Sequence, residues 1–149
     1  MLSDIISGIS NIISTAIKEY QPNPSHFKGF WKINVYADDD KKCREQPQTI
    51  SLVKIKGNHN AVKGTIHRLM PDAETDKRWK LTGKFSGENF LATFCTLNDT
   101  RIGSNGVFFL RYNKARNCYI GHYLKYDYDG HTIIEKNALI QKTSMNGKK

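Results

Sequence analysis

The sequence predicts an all-β fold, an eight-stranded antiparallel up-and-down small barrel, with one N-terminal amphipathic α-helix in front of it. Three observations carry that prediction. At Gly29 the spacing of apolar residues changes from the helical period of about 3.6 to the strand period of about 2. The alternating segments that follow are mostly joined by polar turns too short for a parallel crossover. No second helical pattern follows the first. Closing the sheet removes the exposed edges that an open one would carry, so a barrel is the economical arrangement. A sandwich of two sheets is the runner-up. At 149 residues the chain suits one compact domain. It divides into a helix over 1–20, a linker over 21–28, the barrel over 29–143 and a tail over 144–149.

In "MLSDIISGISNIISTAIKEY" the residues Ile5, Ile9, Ile12, Ile13 and Ile17 recur at three- and four-residue steps and form an apolar stripe. Ser3 or Asp4 caps its start, and "QPNP" ends it. Such a stripe must be covered, by the barrel end, by a second copy or by a membrane surface. Asp4 and Glu19 outweigh Lys18 on the polar side, which weighs against anionic lipid. Self-association into a homo-oligomer, or packing on the barrel, is therefore the expectation.

Strands follow in order. Trp31, Ile33 and Val35 alternate with Phe30, Lys32 and Asn34 in the first, and Thr49–Lys56 and Ala61–Met70 are the second and third. "RWKLTGKF" is the fourth, and "NFLATFCTL", "GVFFLRY", "CYIGHYLKY" and "HTIIEKNALIQ" supply the rest. Gly64, Gly83 and Gly121 interrupt strands, as bends in a tight barrel require.

Lys and Arg exceed Asp and Glu by nine, which favours an anionic partner such as nucleic acid, nucleotide or lipid headgroup. Cys43, Cys95 and Cys118 show no close pairing or metal-ligand spacing, so free thiols in a reducing compartment and no metal are expected. Residues 1–20 lack a basic segment followed by a continuous apolar core, and no apolar run of about 18 residues occurs. A cytoplasmic location is expected, with peripheral membrane contact through the helix as the alternative. No nucleophile elbow, phosphate-binding Gly-rich loop or His-Glu-x-x-His is present, so neither an enzyme nor a cofactor is expected.

"GFW", Gly29 to Trp31, resembles the Gly-x-Trp that opens lipocalins and their relatives. The resemblance implies a lipocalin-like barrel in which Trp31 seals the narrow end. A basic residue from a late strand, here Arg111 of "FFLRY", would lie across its ring. The run "GFWKINVY…VKGTIHRL…RWKLTGKF…GVFFLRYN…YIGHYLKYD" is similar to the sensor domain of bacterial anti-phage effectors of the CBASS type. Those effectors carry two membrane helices before a minimal lipocalin-like barrel that binds a cyclic oligonucleotide made by a partner nucleotidyltransferase. The similarity covers Gly29 to Lys142 and implies a cyclic di- or trinucleotide as ligand. One amphipathic helix stands where the family has its membrane pair. The resemblance thus implies sensing and association, or a phage-borne sponge for the signal, more than membrane disruption.

Such a ligand needs cations for phosphate and flat rings for bases. Arg68 shares a face with Val62, Gly64, Ile66 and Met70, which reads as the interior, and Arg111 shares one with Val107 and Phe109. Trp79 is a further stacking candidate. In "CYIGHYLKY" two phases stay open: either Ile120, His122 and Leu124 face inward, or Tyr119, Tyr123 and Lys125 do and form a phosphate-and-base surface. "DDD", Asp38 to Asp40, reads as an acidic loop. The leading expectation is a non-enzymatic cyclic oligonucleotide sensor. The alternatives are a lipocalin-like carrier of an apolar small molecule and a single-stranded nucleic-acid-binding module.

Overall fold

In the computed structural model, residues 28–71, 78–97, 105–127 and 130–143 are described. The helix expected over 1–20, with its stripe of Ile5, Ile9, Ile12, Ile13 and Ile17, lies outside them, as do most of the linker and the tail. The described residues form eight strands: β1 (Gly29–Tyr36), β2 (Thr49–Asn58), β3 (Ala61–Met70), β4 (Arg78–Ser86), β5 (Asn89–Thr96), β6 (Asn105–Asn113), β7 (Cys118–Asp127) and β8 (Thr132–Lys142). Each pairs antiparallel with its neighbours in sequence, and β8 returns to β1 through pairs such as Ile33 with Ile140. The result is a closed up-and-down barrel.

Alternation decides which side chains fill it. On β4, Trp79, Leu81 and Phe85 are buried while Lys80 and Lys84 are exposed. The same rule turns Trp31, Ile33 and Val35 inward on β1 and Phe108 and Leu110 inward on β6. Each such side chain contributes about 1.5–3 kcal/mol by leaving water. Glycines let so small a barrel close. A Cβ added at Gly83 would stand 2.3 Å from the Leu91 carbonyl oxygen, and one at Gly121 would stand 2.2 Å from that of Phe109. The neighbouring backbone therefore occupies the space that a side chain would need.

The barrel has two unlike ends. Tight turns join β2 to β3, β4 to β5 and β6 to β7 at one end, where Trp31, Phe85, Phe90, Tyr112 and Tyr119 pack as a plug. Ring centroids there lie 4.6 Å apart for Phe85 and Phe90 and 5.7 Å apart for Trp31 and Phe85. Trp31 is 3 % exposed and packs within this plug. Strands β1, β3, β5 and β7 end at the opposite side, and the connections that follow β1, β3 and β5 are longer in sequence. One of them, residues 37–48, folds back over the outside of β1, β7 and β8. Cys43 sits there in a small outer core with Tyr36, Cys118 and Leu139. Arg116 fastens this strap by donating from Nη1 to the Lys42 carbonyl at 2.6 Å and from Nη2 to that of Cys43 at 3.1 Å. The Asn137 amide donates to the carbonyls of Ala37 and Asp38.

Two expectations about faces need correction. The register shifts between Ile50 and Ser51, so that Ser51 opposes Arg68 while Ile50 opposes Met70, leaving Leu69 as an extra residue in β3. Arg68 keeps the inward phase of Ile66, but Met70 is thrown outward and is 52 % exposed. Arg111, with Val107 and Phe109, faces outward as well, because Phe108 and Leu110 hold the inward phase of β6. On β7 the inward phase is that of Tyr119 and Tyr123, and His122 faces out against Glu135 with Nδ1 2.8 Å from Oε1.

Candidate functional site

The open end of the barrel gathers the polar interior. Bulging of β3 at Leu69 leaves Arg68 as the last inward residue of that strand, beside the inward Trp79 of β4 and Tyr123 of β7. The Arg68 guanidinium carbon lies 5.1 Å from the centre of the Trp79 ring. An indole face is the best aromatic partner for a cation, and here the contact lies against the barrel interior, where water screens it less. Ser51 and Thr49 of β2 complete the polar side of this chamber.

The opposite wall is aromatic. Phe94 and Tyr123 stack with centroids 5.4 Å apart and planes 6° from parallel, and Phe108 tilts against both. Burial pushes the Tyr123 phenol up to about 12, while the positive charge of Arg68 works in the other direction. The phenol is thus a neutral hydrogen-bond donor at physiological pH. Trp79 Nε1 is buried with no hydrogen-bond partner among the described residues. A buried unsatisfied donor costs about 1–3 kcal/mol, and an acceptor arriving in the chamber would recover part of that. The free space is small, about 30 Å³.

The sequence-derived candidates separate in this geometry. Arg68, Trp79 and Tyr123 come together at the open end. Lys125 follows Tyr123 on the inward backbone phase, paired in register with Gly106, but it lines the trough with Val107 and Leu124 and not the chamber. Tyr119 belongs to the plug at the far end, 1 % exposed and 5.2 Å from Phe85 by ring centroids, and burial raises its phenol well above the usual range, with Tyr112 adding to the shift. It is too deep to meet a ligand at the rim. Arg111 is on the outer wall, where Nη2 and Nε donate to Glu88 Oε2 at 2.7 and 2.9 Å. It is engaged there with Glu88, and its expected place across the Trp31 ring is not realised.

Sequence reasoning missed Ser51, Phe94 and Phe108, whose role at the chamber depends on cross-strand register. It also missed how completely the outer face of β1–β4 is basic, although the lysines alternating with apolar residues in "LVKIK" and "RWKLTGK" carried that signal.

Other chemistry is accounted for locally. Asp40 accepts the backbone N–H groups of Arg44 at 3.0 Å and Glu45 at 2.9 Å, which makes it a turn residue of the strap. Burial pushes the Cys43 thiol up to about 11, with Asp40 adding to the shift and Arg116 opposing it. Among the described residues no group of three or more His, Cys, Asp or Glu side chains is placed to hold a metal ion. No helix among them is long and apolar enough to cross a membrane. No protein-family model, curated protein or solved structure matches the chain.

Proposed function

We propose that this chain is a non-enzymatic binding protein that takes an anionic, ring-bearing ligand of the cyclic di- or trinucleotide class at the open end of its barrel. The carrying observation is Arg68, a guanidinium on the inner wall, laid on Trp79 at 5.1 Å and close enough to Tyr123 to influence its ionisation. Arg68 offers a planar fork to phosphate, Trp79 a ring face and an indole N–H, and Tyr123 a phenol. The resemblance of the strand sequences to anti-phage sensor barrels supplies the ligand class and the defence setting.

The size of the chamber sets the mode of binding. Free space of about 30 Å³ holds no more than a few waters, so the bulk of a cyclic oligonucleotide rests on the rim. Only a phosphate edge or one ring reaches Arg68. The same volume weighs against a carrier of apolar small molecules, whose cavities run to about 300–1,000 Å³.

Isothermal titration of the full chain with cyclic di- and trinucleotides, beside Arg68→Met, tests the proposal. A charge-assisted contact is worth about 1.5–3 kcal/mol, so the variant is expected to bind about 10- to 150-fold more weakly. Equal affinity of the two proteins, or no heat with any cyclic nucleotide, would remove the open end as the site.

A further inference from the structure

The outer wall of the first half of the barrel is uniform in charge. Strands β1 to β4 contain no Asp or Glu, while Lys32, Lys54, Lys56, Lys63, Lys80 and Lys84 occupy their outward phases. Register arranges them in rows. Lys54 of β2, Thr65 of β3 and Lys80 of β4 lie side by side, and the next row runs Lys56, Lys63, Thr82. Thr65, with Gly64, leaves a trough between the long lysine stems. It forms a groove of about 540 Å³ with Phe30 and Leu52 on one side and Lys80 on the other.

Two features show that this face is arranged at some cost. Lys56 and Lys63 are direct cross-strand partners, and like charges in that position destabilise a sheet. Among the described residues, Lys54, Lys56, Lys63 and Lys80 have no carboxylate partner. Lys54 Nζ instead stands 5.8 Å above the Phe30 ring. An anion seated in the groove would relieve the repulsion.

We infer that the groove on the outer face of β1–β4 binds single-stranded nucleic acid, independently of the site at the open end. Lysines two residues apart on one strand stand about 7 Å apart, and those two strands apart about 10 Å. One phosphate cannot meet them all, whereas a chain of phosphates can. Phe30, half-buried at the edge of the trough, adds a flat surface on which a base can stack. A membrane is the poorer match. The groove lining is mostly lysine and polar, and none of the exposed apolar side chains Leu69, Met70, Val107, Phe109 and Ile133 is part of it. Alternation also separates the two sites: His67 points into this outer groove and its neighbour Arg68 into the chamber.

The test is fluorescence anisotropy of a labelled oligouridine of about a dozen nucleotides with the full chain, between about 50 and 200 mM salt. Each lysine–phosphate contact on a single strand contributes about 0.7 to the slope of log affinity against log salt. The triple variant Lys54→Gln/Lys63→Gln/Lys80→Gln is expected to flatten that slope by about 2 and to weaken binding more than tenfold. Its melting temperature should not fall, because the change relieves the Lys56–Lys63 repulsion. A control, Lys41→Gln/Lys42→Gln/Lys114→Gln, removes equal charge from the strap and the β6–β7 turn and should bind as the parent does. Arg68→Met should also bind oligouridine normally, so failure of the open-end site and failure of the groove are distinguishable. Equal losses in both triple variants would reduce the effect to net charge and overturn the inference. So would absence of oligouridine binding by the parent, or a groove variant that loses only its binding to phosphatidylserine vesicles.

Discussion

Replacing Phe85 with alanine should cost this barrel a large part of its stability. Phe85 is 0 % exposed, and its ring lies 4.6, 5.2 and 5.7 Å from those of Phe90, Tyr119 and Trp31. It is therefore the hub of the aromatic plug, and its loss would open a cavity bounded by rings that the closed sheet holds in place. Phe→Ala in a core costs about 3–5 kcal/mol, and poor collapse of the site favours the upper half of that range. Against a typical total of about 5–15 kcal/mol, that is about a quarter of the stability or more. Guanidinium unfolding followed by tryptophan fluorescence suits the measurement, because Trp31 borders the new cavity. With a slope of about 4 kcal/mol per molar, the midpoint should fall by about 1 M. Phe109→Ala is the comparison: the same atoms are removed from a ring 55 % exposed on the outer wall, and the loss should stay within about 1 kcal/mol. Equal losses at the two positions would refute the assignment of inward and outward phases on which the whole account of the barrel rests.

Gly83→Ala should lower the melting temperature by about 4–12 °C in a calorimetric scan, because its Cβ would stand 2.3 Å from the Leu91 carbonyl oxygen and 2.6 Å from the Ala92 Cβ. Thiol labelling at pH 8 should modify the exposed Cys95 first. Cys43, with its thiol pushed up to about 11, and the buried Cys118 should react only on unfolding. Arg116→Ala removes both bonds that fasten the strap, and Cys43 labelling should then accelerate. Ultraviolet titration should show two late phenolates, Tyr123 ionising at about 12 and Tyr119 later still, and Arg68→Met should delay Tyr123 further by removing the charge that favours its phenolate. A phenol raised in the folded state stabilises the fold below its ordinary value near 10, and that contribution is lost as pH rises toward 12.

Much of this barrel was legible in the sequence because period-2 alternation is a local signal. The strand "AVKGTIHRLM" has the bounds Ala61–Met70 in the structure, and most of the others differ by a residue or two at an end. What failed was phase. Arg111 sits between Leu110 and Tyr112 in a run where both alternating sets are apolar or aromatic, and composition does not say which set the barrel encloses. The plug of Phe85, Phe90 and Tyr119 settles it by claiming the inward side from neighbouring strands. Met70 was misplaced for another reason: the bulge at Leu69 depends on the register between β2 and β3, which no single strand encodes. Arg68 was read correctly because it precedes the bulge.

Closure also limits how copies of this chain could associate. Because β8 hydrogen-bonds to β1, no strand of the barrel presents a free row of N–H and C=O groups, and association by strand addition is closed to it. A second copy must be met through side chains. On the described surface the basic wall of β1–β4 repels its own image, and the strap over β1, β7 and β8 presents polar and charged residues such as Asp38 and Lys41. Leu69 and Met70 are exposed at the end of β3, but the larger apolar patch is that of Val107, Phe109 and Ile133 on β6 and β8, with a trough that also includes Leu124. Association through this patch and association through the isoleucines of residues 1–20 differ in a measurable way. Phe109→Lys should reduce the mass in light scattering if the wall is the contact and leave it unchanged if the N-terminal segment carries it. Deletion of residues 1–20 should give the opposite pattern, and a chain whose mass responds to neither change does not associate through either surface.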